Sequence, residues 1–354
     1  MRICLPAMIP ETLKQRGLSM NRKLLNLSGK IDSILTAVFE AISDGAESMG
    51  VPFFVVGATA RDVILEYGHD IRTIRVTRDV DFGIRVPDWN QYDRLKAELV
   101  ATGKFRQGRE IQRLYHEKGL PVDIIPFGPL ANCLNALTWP PDHEIEMNML
   151  GFEEAYNHSL RVRVREDPRL NIRFASPAGL TLMKIISWSD RRADKDAQDI
   201  ALLIRNYADA GNIERLYDEG ELLETEEFDL EHAGARLLGR DIAKISTPES
   251  TKSVLEILAR ETGEQKRYRL VEGMIKGLIL NHDFDNVFEK SLQLLDKLKA
   301  GILDESSHHY AGKKVPDQRE YDSGSEDETD IHLILKSTII TSEYHENPPH
   351  LHRK

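Results

Sequence analysis

The sequence predicts an α+β protein: a small mixed-sheet domain over residues 21–170, followed by an all-helical domain over 171–302. Two observations predict it. Through about residue 126, short apolar runs bounded by Gly and Pro alternate with stretches of helical periodicity, the pattern of a mixed sheet packed by helices. From Ser176-Pro177 onward, an N-cap followed by a first-turn proline, only helical periodicity remains.

Taken in order, Ile31, Ile34, Leu35, Val38, Phe39, Ile42 and Met49 recur at helical spacing and predict a helix over 30–48. Phe53–Val56 is a buried strand cut off by Gly57. Thr59 is placed as the N-cap of a short helix over 60–67 that ends at Gly68. Residues 79–86 read as a strand whose alternation is broken by Gly83, and 68–77 as an extra loop before it. Trp89, Tyr92, Leu95 and Leu99 give a helix over 89–101, and strands at 110–116 and 120–126 flank the turn Glu117-Lys118-Gly119. The domain fades near 165, after a patternless stretch around Trp139-Pro140-Pro141. Helices are then predicted over 178–208, 211–225, 231–240, 249–261 and 265–300. Residues 1–20 read as a dispensable leader, since Met20 offers a second start. Residues 303–354 read as an acidic, His-containing tail, too poor in apolar side chains to fold apart from Ile331–Leu335.

Composition bounds the function. With 41% hydrophobic and 30% charged residues, the 354-residue chain is globular, and no apolar run reaches the ~18 residues of a membrane span. Pro6, Pro10 and Glu11 interrupt any secretory h-region, so a cytoplasmic location is expected. Cys4 and Cys133 cannot build a disulfide framework, and Cys133 is expected to be a small buried residue. The net charge of −11 is uneven: residues 1–205 carry 28 Lys/Arg against 27 Asp/Glu, and the remainder 19 against 31. The N-terminal half can therefore face a polyanion.

The chemistry is concentrated in Gly57-Ala58-Thr59-Ala60-Arg61-Asp62, then Asp79-Val80-Asp81, then Val122-Asp123. Two aspartates at i and i+2 of a strand point to one face. Such a pair is costly without a divalent cation between its carboxylates, and magnesium held by carboxylates and substrate phosphates is the usual solution. Asp123 on a neighbouring strand can complete the cluster or take a proton. The strand–Gly–helix turn offers backbone N–H groups to phosphate. Three Asp-x-Asp pairs occur, 79/81, 194/196 and 283/285, but the last two fall in helical segments where i and i+2 diverge. On the helices, Lys184 and Arg191 lie two turns apart and can face one substrate, as can Asp196 and Asp199 at i and i+3. Trp89, Trp139 and Trp188 read as core, and the tail histidines lack ligand spacing.

The order Gly57-Ala58, Arg61-Asp62, Asp79-x-Asp81, Asp123 resembles the DNA polymerase beta-like nucleotidyltransferase superfamily. Within it the chain looks most like the AbiEii/AbiGii-type nucleotidyltransferases, the toxin class of type IV toxin–antitoxin and abortive-infection systems. Their Lys-x6-Arg and Lys-Asp-x-x-Asp elements read here Lys184…Arg191 and Lys195-Asp196-Ala197-Gln198-Asp199. The resemblance covers about residues 30–210 and departs at Ala58, where the family usually has Ser or Gly. It implies NMP transfer from an NTP with Mg2+ or Mn2+, a hydroxyl acceptor such as RNA (tRNA-like), and a cognate antitoxin. Asp79, Asp81 and Asp123 would hold metal. Gly57, Ala58, Thr59, Arg61, Lys184 and Arg191 would hold the nucleotide, and Lys184 and Asp196 would serve catalysis alongside the three aspartates. Lys184→Ala is then expected to fold normally and to lose nearly all transfer activity, whereas a lysine that only decorates a helix could be removed within ~0.5 kcal/mol and with no catalytic effect. The rival readings are a nucleotide-binding module without turnover, an antibiotic nucleotidyltransferase, and a metal-dependent glycosyltransferase; the last needs a larger α/β domain than the roughly 130 residues available.

Overall fold

The computed structural model describes residues 24–73, 79–263, 268–276 and 284–311. The expected leader, residues 74–77 of the expected 68–77 loop and the chain after 311 lie outside them. The N-terminal part runs β1 (Leu25–Asn26), α1 (Ser33–Ser48), β2 (Phe53–Val56), α2 (Gly57–Asp62) with a π-helical continuation (Val63–Tyr67), β3 (Val80–Arg85), α3 (Trp89–Ala101), β4 (Phe105–Gln107), β5 (Arg113–His116), β6 (Pro121–Phe127), β7 (Ala136–Thr138), β8 (Glu146–Asn148), α4 (Phe152–Asn157), β9 (Leu160–Arg165) and β10 (Leu170–Phe174). Eight strands make one mixed sheet in the order β1-β9-β10-β2-β3-β6-β5-β4, and β7 pairs with β8 apart from it.

The central strands bury both faces, so β2 and β3 are apolar runs of Phe54, Val55, Val56, Phe82 and Ile84. Gly83 interrupts the alternation because the Phe54 ring packs over it and leaves no room for a Cβ. Phe39 of α1 meets Phe174 of β10 edge-on, ring centroids 5.4 Å apart, which seats the helix on the sheet. Asp32 caps α1 by accepting from the Ile34 and Leu35 N–H groups.

The helical part follows with α5 (Pro177–Arg191), α6 (Asp194–Arg205), α7 (Ile213–Asp218), α8 (Gly220–Thr225), α9 (Leu230–Ile245), α10 (Pro248–Thr262), α11 (Arg269–Ile275) and α12 (Phe284–Ala311). It has its own core of Leu182, Ile185, Trp188, Ile200, Leu237, Leu258, Leu295 and Leu298, among others. Ser176 caps α5 as its sequence indicates, accepting from the Gly179 N–H.

Several elements differ from expectation. The sheet runs on to Phe174, past the expected boundary at 170, because β9 and β10 add an antiparallel pair. Thr59 caps nothing: the helix starts at Gly57, with Val56 before it and no side-chain cap. The single helix expected over 178–208 is two, since Arg192 takes a left-handed conformation (φ 52°) and turns the chain back. The expected 265–300 helix is also two, and α12 reaches Ala311, past the expected end at 302. Cys133 is exposed, in the loop between β6 and β7.

Candidate active site

Register builds the site. β2 and β3 run antiparallel with Val56 opposite Asp81, and β3 and β6 run parallel with Asp81 opposite Asp123. β5 adds Arg113 opposite Asp123. Residues directly across a ladder share a face, so Asp81, Asp123 and Arg113 form a row. Asp79, just ahead of β3, joins that face because Val80 between the two aspartates is buried on the other.

Gly57 follows Val56 and lies against Asp81. Its φ is +67°, and an added Cβ would collide with Asp81 Oδ2 and sit 3.0 Å from Cγ. Only glycine lets the chain turn from β2 into α2 at this point. Ala58 is next, 9% exposed. Thr59 corrects an expectation: its buried hydroxyl donates to the Asp79 carbonyl at 2.8 Å, so it fixes Asp79 rather than facing a ligand.

Burial, and then repulsion by Asp79 and Asp123, pushes the Asp81 carboxyl up to about 7; Lys184 and Lys195 pull weakly the other way. A carboxyl whose pKa is higher folded than unfolded stabilises the fold while protonated and loses that contribution as pH rises through the folded value. The melting temperature of the metal-free protein is therefore expected to fall between about pH 4 and 7, and Asp81→Asn to flatten that fall. A decline left intact in Asp81→Asn would assign it to other groups.

Arg113 is a site residue that the sequence did not reveal. Its Nε donates to Asp123 Oδ1 at 2.8 Å and its Nη2 to Asp123 Oδ2 at 2.6 Å, and Nη2 stands 3.5 Å from Asp79 Oδ2. The bond to Asp123 raises the guanidinium pKa further. The expected three-aspartate metal centre is therefore not assembled in this structure. Among the described residues, no three acidic, histidine or cysteine side chains converge as a preformed metal site. Asp79 and Asp81 remain as a donor pair, while both oxygens of Asp123 are occupied by a guanidinium.

The helical residues join in one chain of ion pairs. Arg61 bonds Asp62 at 2.5 Å and also Asp199. Lys184 Nζ reaches Asp199 Oδ2 at 2.8 Å and Asp196 Oδ1 at 2.9 Å, and Arg191 forks onto Asp196 at 2.5 and 2.8 Å. The break at Arg192 makes this possible, because it folds α6 back so that Asp196 faces α5. Burial alone would discharge the Lys184 ammonium, but Asp199 and Asp196 hold its pKa above the ordinary lysine value. Burial likewise opposes the Asp196 carboxylate, yet Arg191 and Lys184 keep its pKa below the ordinary range. Two expectations are corrected here. Arg61, 3% exposed, is a buried tie between α2 and α6 and does not line a nucleotide site. Asp196, 0% exposed, cannot touch substrate and instead holds the two cations. Lys184 and Arg191 are the partly open members, with side chains 14% and 49% exposed. Trp188 and Trp139 are core, and Trp89 packs on Trp139, as expected.

A glycine turn against a carboxylate pair on a central strand, backed by helix-borne cations, is the equipment of a nucleotidyltransferase. The chain belongs to the nucleotidyl transferase AbiEii toxin family of the type IV toxin–antitoxin system, whose family model matches residues 46–290. No curated protein matches the sequence significantly. Among solved structures it is similar to the lincomycin-bound lincosamide antibiotic adenylyltransferase LnuA, at 18% identity and a TM-score of 0.31, covering 49% of this chain and 96% of that one. It is also similar to the antibiotic-resistance factor ANT(2'')-Ia, at 12% identity and a TM-score of 0.30, covering 56% and 97%. A third likeness is to a CCA-adding enzyme in complex with CTP, at 16% identity and a TM-score of 0.27, covering 90% and 86%. No helix of the described residues is long and apolar enough to cross a membrane.

Proposed function

We propose that this chain transfers NMP from an NTP to a hydroxyl of RNA, with Mg2+ or Mn2+ held by Asp79 and Asp81. The carboxylate pair at the start of β3, with Asp81 against Gly57, carries the reading. The donor set fits a hard divalent cation: two carboxylates share one face, and among the described residues no cationic side chain lies at ion-pair distance from Asp81. Asp79 and Asp81 would hold such a cation, whose positive charge would offset the negative charge that develops during transfer. The backbone at Gly57 and Ala58 would lie along the phosphates, and Lys184 with Arg191 would draw the triphosphate toward the helices. An acceptor hydroxyl oxygen forms the new bond to the α-phosphorus as the bond to pyrophosphate breaks. Asp123 can take the hydroxyl proton only once Arg113 has left it.

RNA as acceptor is supported by a second basic surface. Arg192, Arg260 and Arg269 line a cavity of about 280 Å³ with Glu261. Arg192 stacks 4.3 Å from the Trp188 ring centroid and bonds buried Glu261 at 3.2 Å. Three guanidinium groups against one carboxylate suit a phosphate backbone. Replacing exposed Arg260 and Arg269 with alanine should spare the fold and NTP binding but weaken RNA binding. The slope of log affinity against log salt should fall by about one to two. An unchanged slope in fluorescence anisotropy would remove this surface from RNA binding. The family's description as a type IV toxin supports a cognate antitoxin. Incubation with each labelled NTP, magnesium and total RNA tests the proposal as a whole. A labelled RNA band with one NTP is expected, and label on nothing but protein or a small molecule would overturn the acceptor.

A further inference from the structure

We infer that Arg113 is a built-in counter-cation that keeps Asp123 out of the metal site, and that loading the site with a divalent cation requires Arg113 to release it. The inference rests on the reading of Asp79 and Asp81 as metal ligands. Geometry carries it. Arg113 and Asp123 are register partners on β5 and β6, so the arginine is aimed at that carboxylate by the sheet itself. The pairing is a two-pronged fork at 2.8 and 2.6 Å that uses both carboxylate oxygens. The same Nη2 stands 3.5 Å from Asp79 Oδ2, so one guanidinium spans two of the three carboxylates. A divalent cation on Asp79 and Asp81 would be brought beside that positive group, and each would weaken the hold of the other.

The arginine is placed to move. Its side chain is 25% exposed, whereas that of Asp123 is 11% exposed. The guanidinium can swing toward solvent while the carboxylate stays fixed in the row with Asp81. Arg113 in one state and a divalent cation in the other each offset part of the negative charge of the three carboxylates, which a vacant trio would carry uncompensated. Arg113 is thus a positioning residue for Asp123 that sets how readily the centre accepts metal.

Binding of Mn2+ to nucleotide-free protein, followed by the electron paramagnetic resonance of the free ion, tests this without any turnover. Arg113→Met, which keeps the length and apolar stem, should bind Mn2+ at least about tenfold more tightly than the wild type. Arg113→Lys, which keeps the charge but cannot fork, should fall between the two and serves as the test if the methionine variant does not fold. Adding Asp123→Asn to Arg113→Met should return the affinity toward wild type, since the freed ligand is then lost. Equal Mn2+ affinity in wild type and in either Arg113 variant would overturn the inference while leaving the metal reading intact. Absence of Mn2+ binding in all of them would overturn the metal reading itself, and the inference with it.

Discussion

Asp79→Asn combined with Asp81→Asn is expected to yield a folded protein that no longer transfers nucleotide. The asparagine amides keep the size of the carboxylates, so the turn at Gly57 and the packing of β3 are preserved, while two anionic oxygen donors for a cation are lost. Charge stabilisation of the transferring phosphoryl by a bound cation amounts to several kcal/mol, so the rate should drop by at least about a thousandfold. In EDTA at pH 8 the same double variant should melt above the wild type, because the burial and the repulsion that push Asp81 up to about 7 no longer act on a charged group there. Single-turnover transfer and differential scanning fluorimetry on one preparation separate the two effects. Wild-type transfer by this variant would show that the pair holds no catalytic metal.

The second large effect falls on Lys184, and here the structure reverses the expectation drawn from sequence. A lysine on a solvated helix face can be truncated at negligible cost, but this one sits between Asp196 and Asp199, which are 0% and 2% exposed. Removing it leaves two buried carboxylates with one cation fewer, a change that typically costs about 3–5 kcal/mol. Lys184→Ala should therefore lower the urea midpoint markedly and, assayed cold where it is still folded, lose about a hundredfold or more in transfer. Lys184→Met with Asp196→Asn should recover stability, since Arg191 is half exposed and can turn to water, but not activity. Recovery of activity along with stability would make Lys184 purely structural.

The parts legible in the sequence are those set by local pattern. β2, β3 and their glycine stood out as a short apolar run ended by Gly57, and Ser176-Pro177 marked the start of α5. The pairing of Asp81 with Asp123 was implied by two carboxylate-bearing strands, yet their parallel register is a property of the whole sheet. Arg113 was invisible for the same reason: one arginine in a strand means little until the partner strand is known. β9 did carry a signal, because Leu160–Arg165 alternates apolar and basic residues and buries Val162 and Val164, but its charge density masked the strand pattern. The break between α5 and α6 carried none. Arg192 adopts a backbone conformation usually left to Gly or Asn, so no residue type in that stretch announces a turn. The burial of Arg61 and Asp196 was equally hidden, since each is buried only because a partner from another element neutralises it.

The tie between Arg61 and Asp199 bears on what the smallest working fragment of this protein can be. The sheet holds Gly57, both candidate metal ligands and Asp123, and in isolation it resembles a self-sufficient catalytic unit. A chain cut after β10 would nevertheless retain Arg61 with Asp62 alone, lose its second carboxylate, and open to water a guanidinium that is now 3% exposed. It would also lose Lys184 and Arg191 outright. Half of the candidate site is thus borrowed from the helices, and a fragment ending at β10 is expected to lack it.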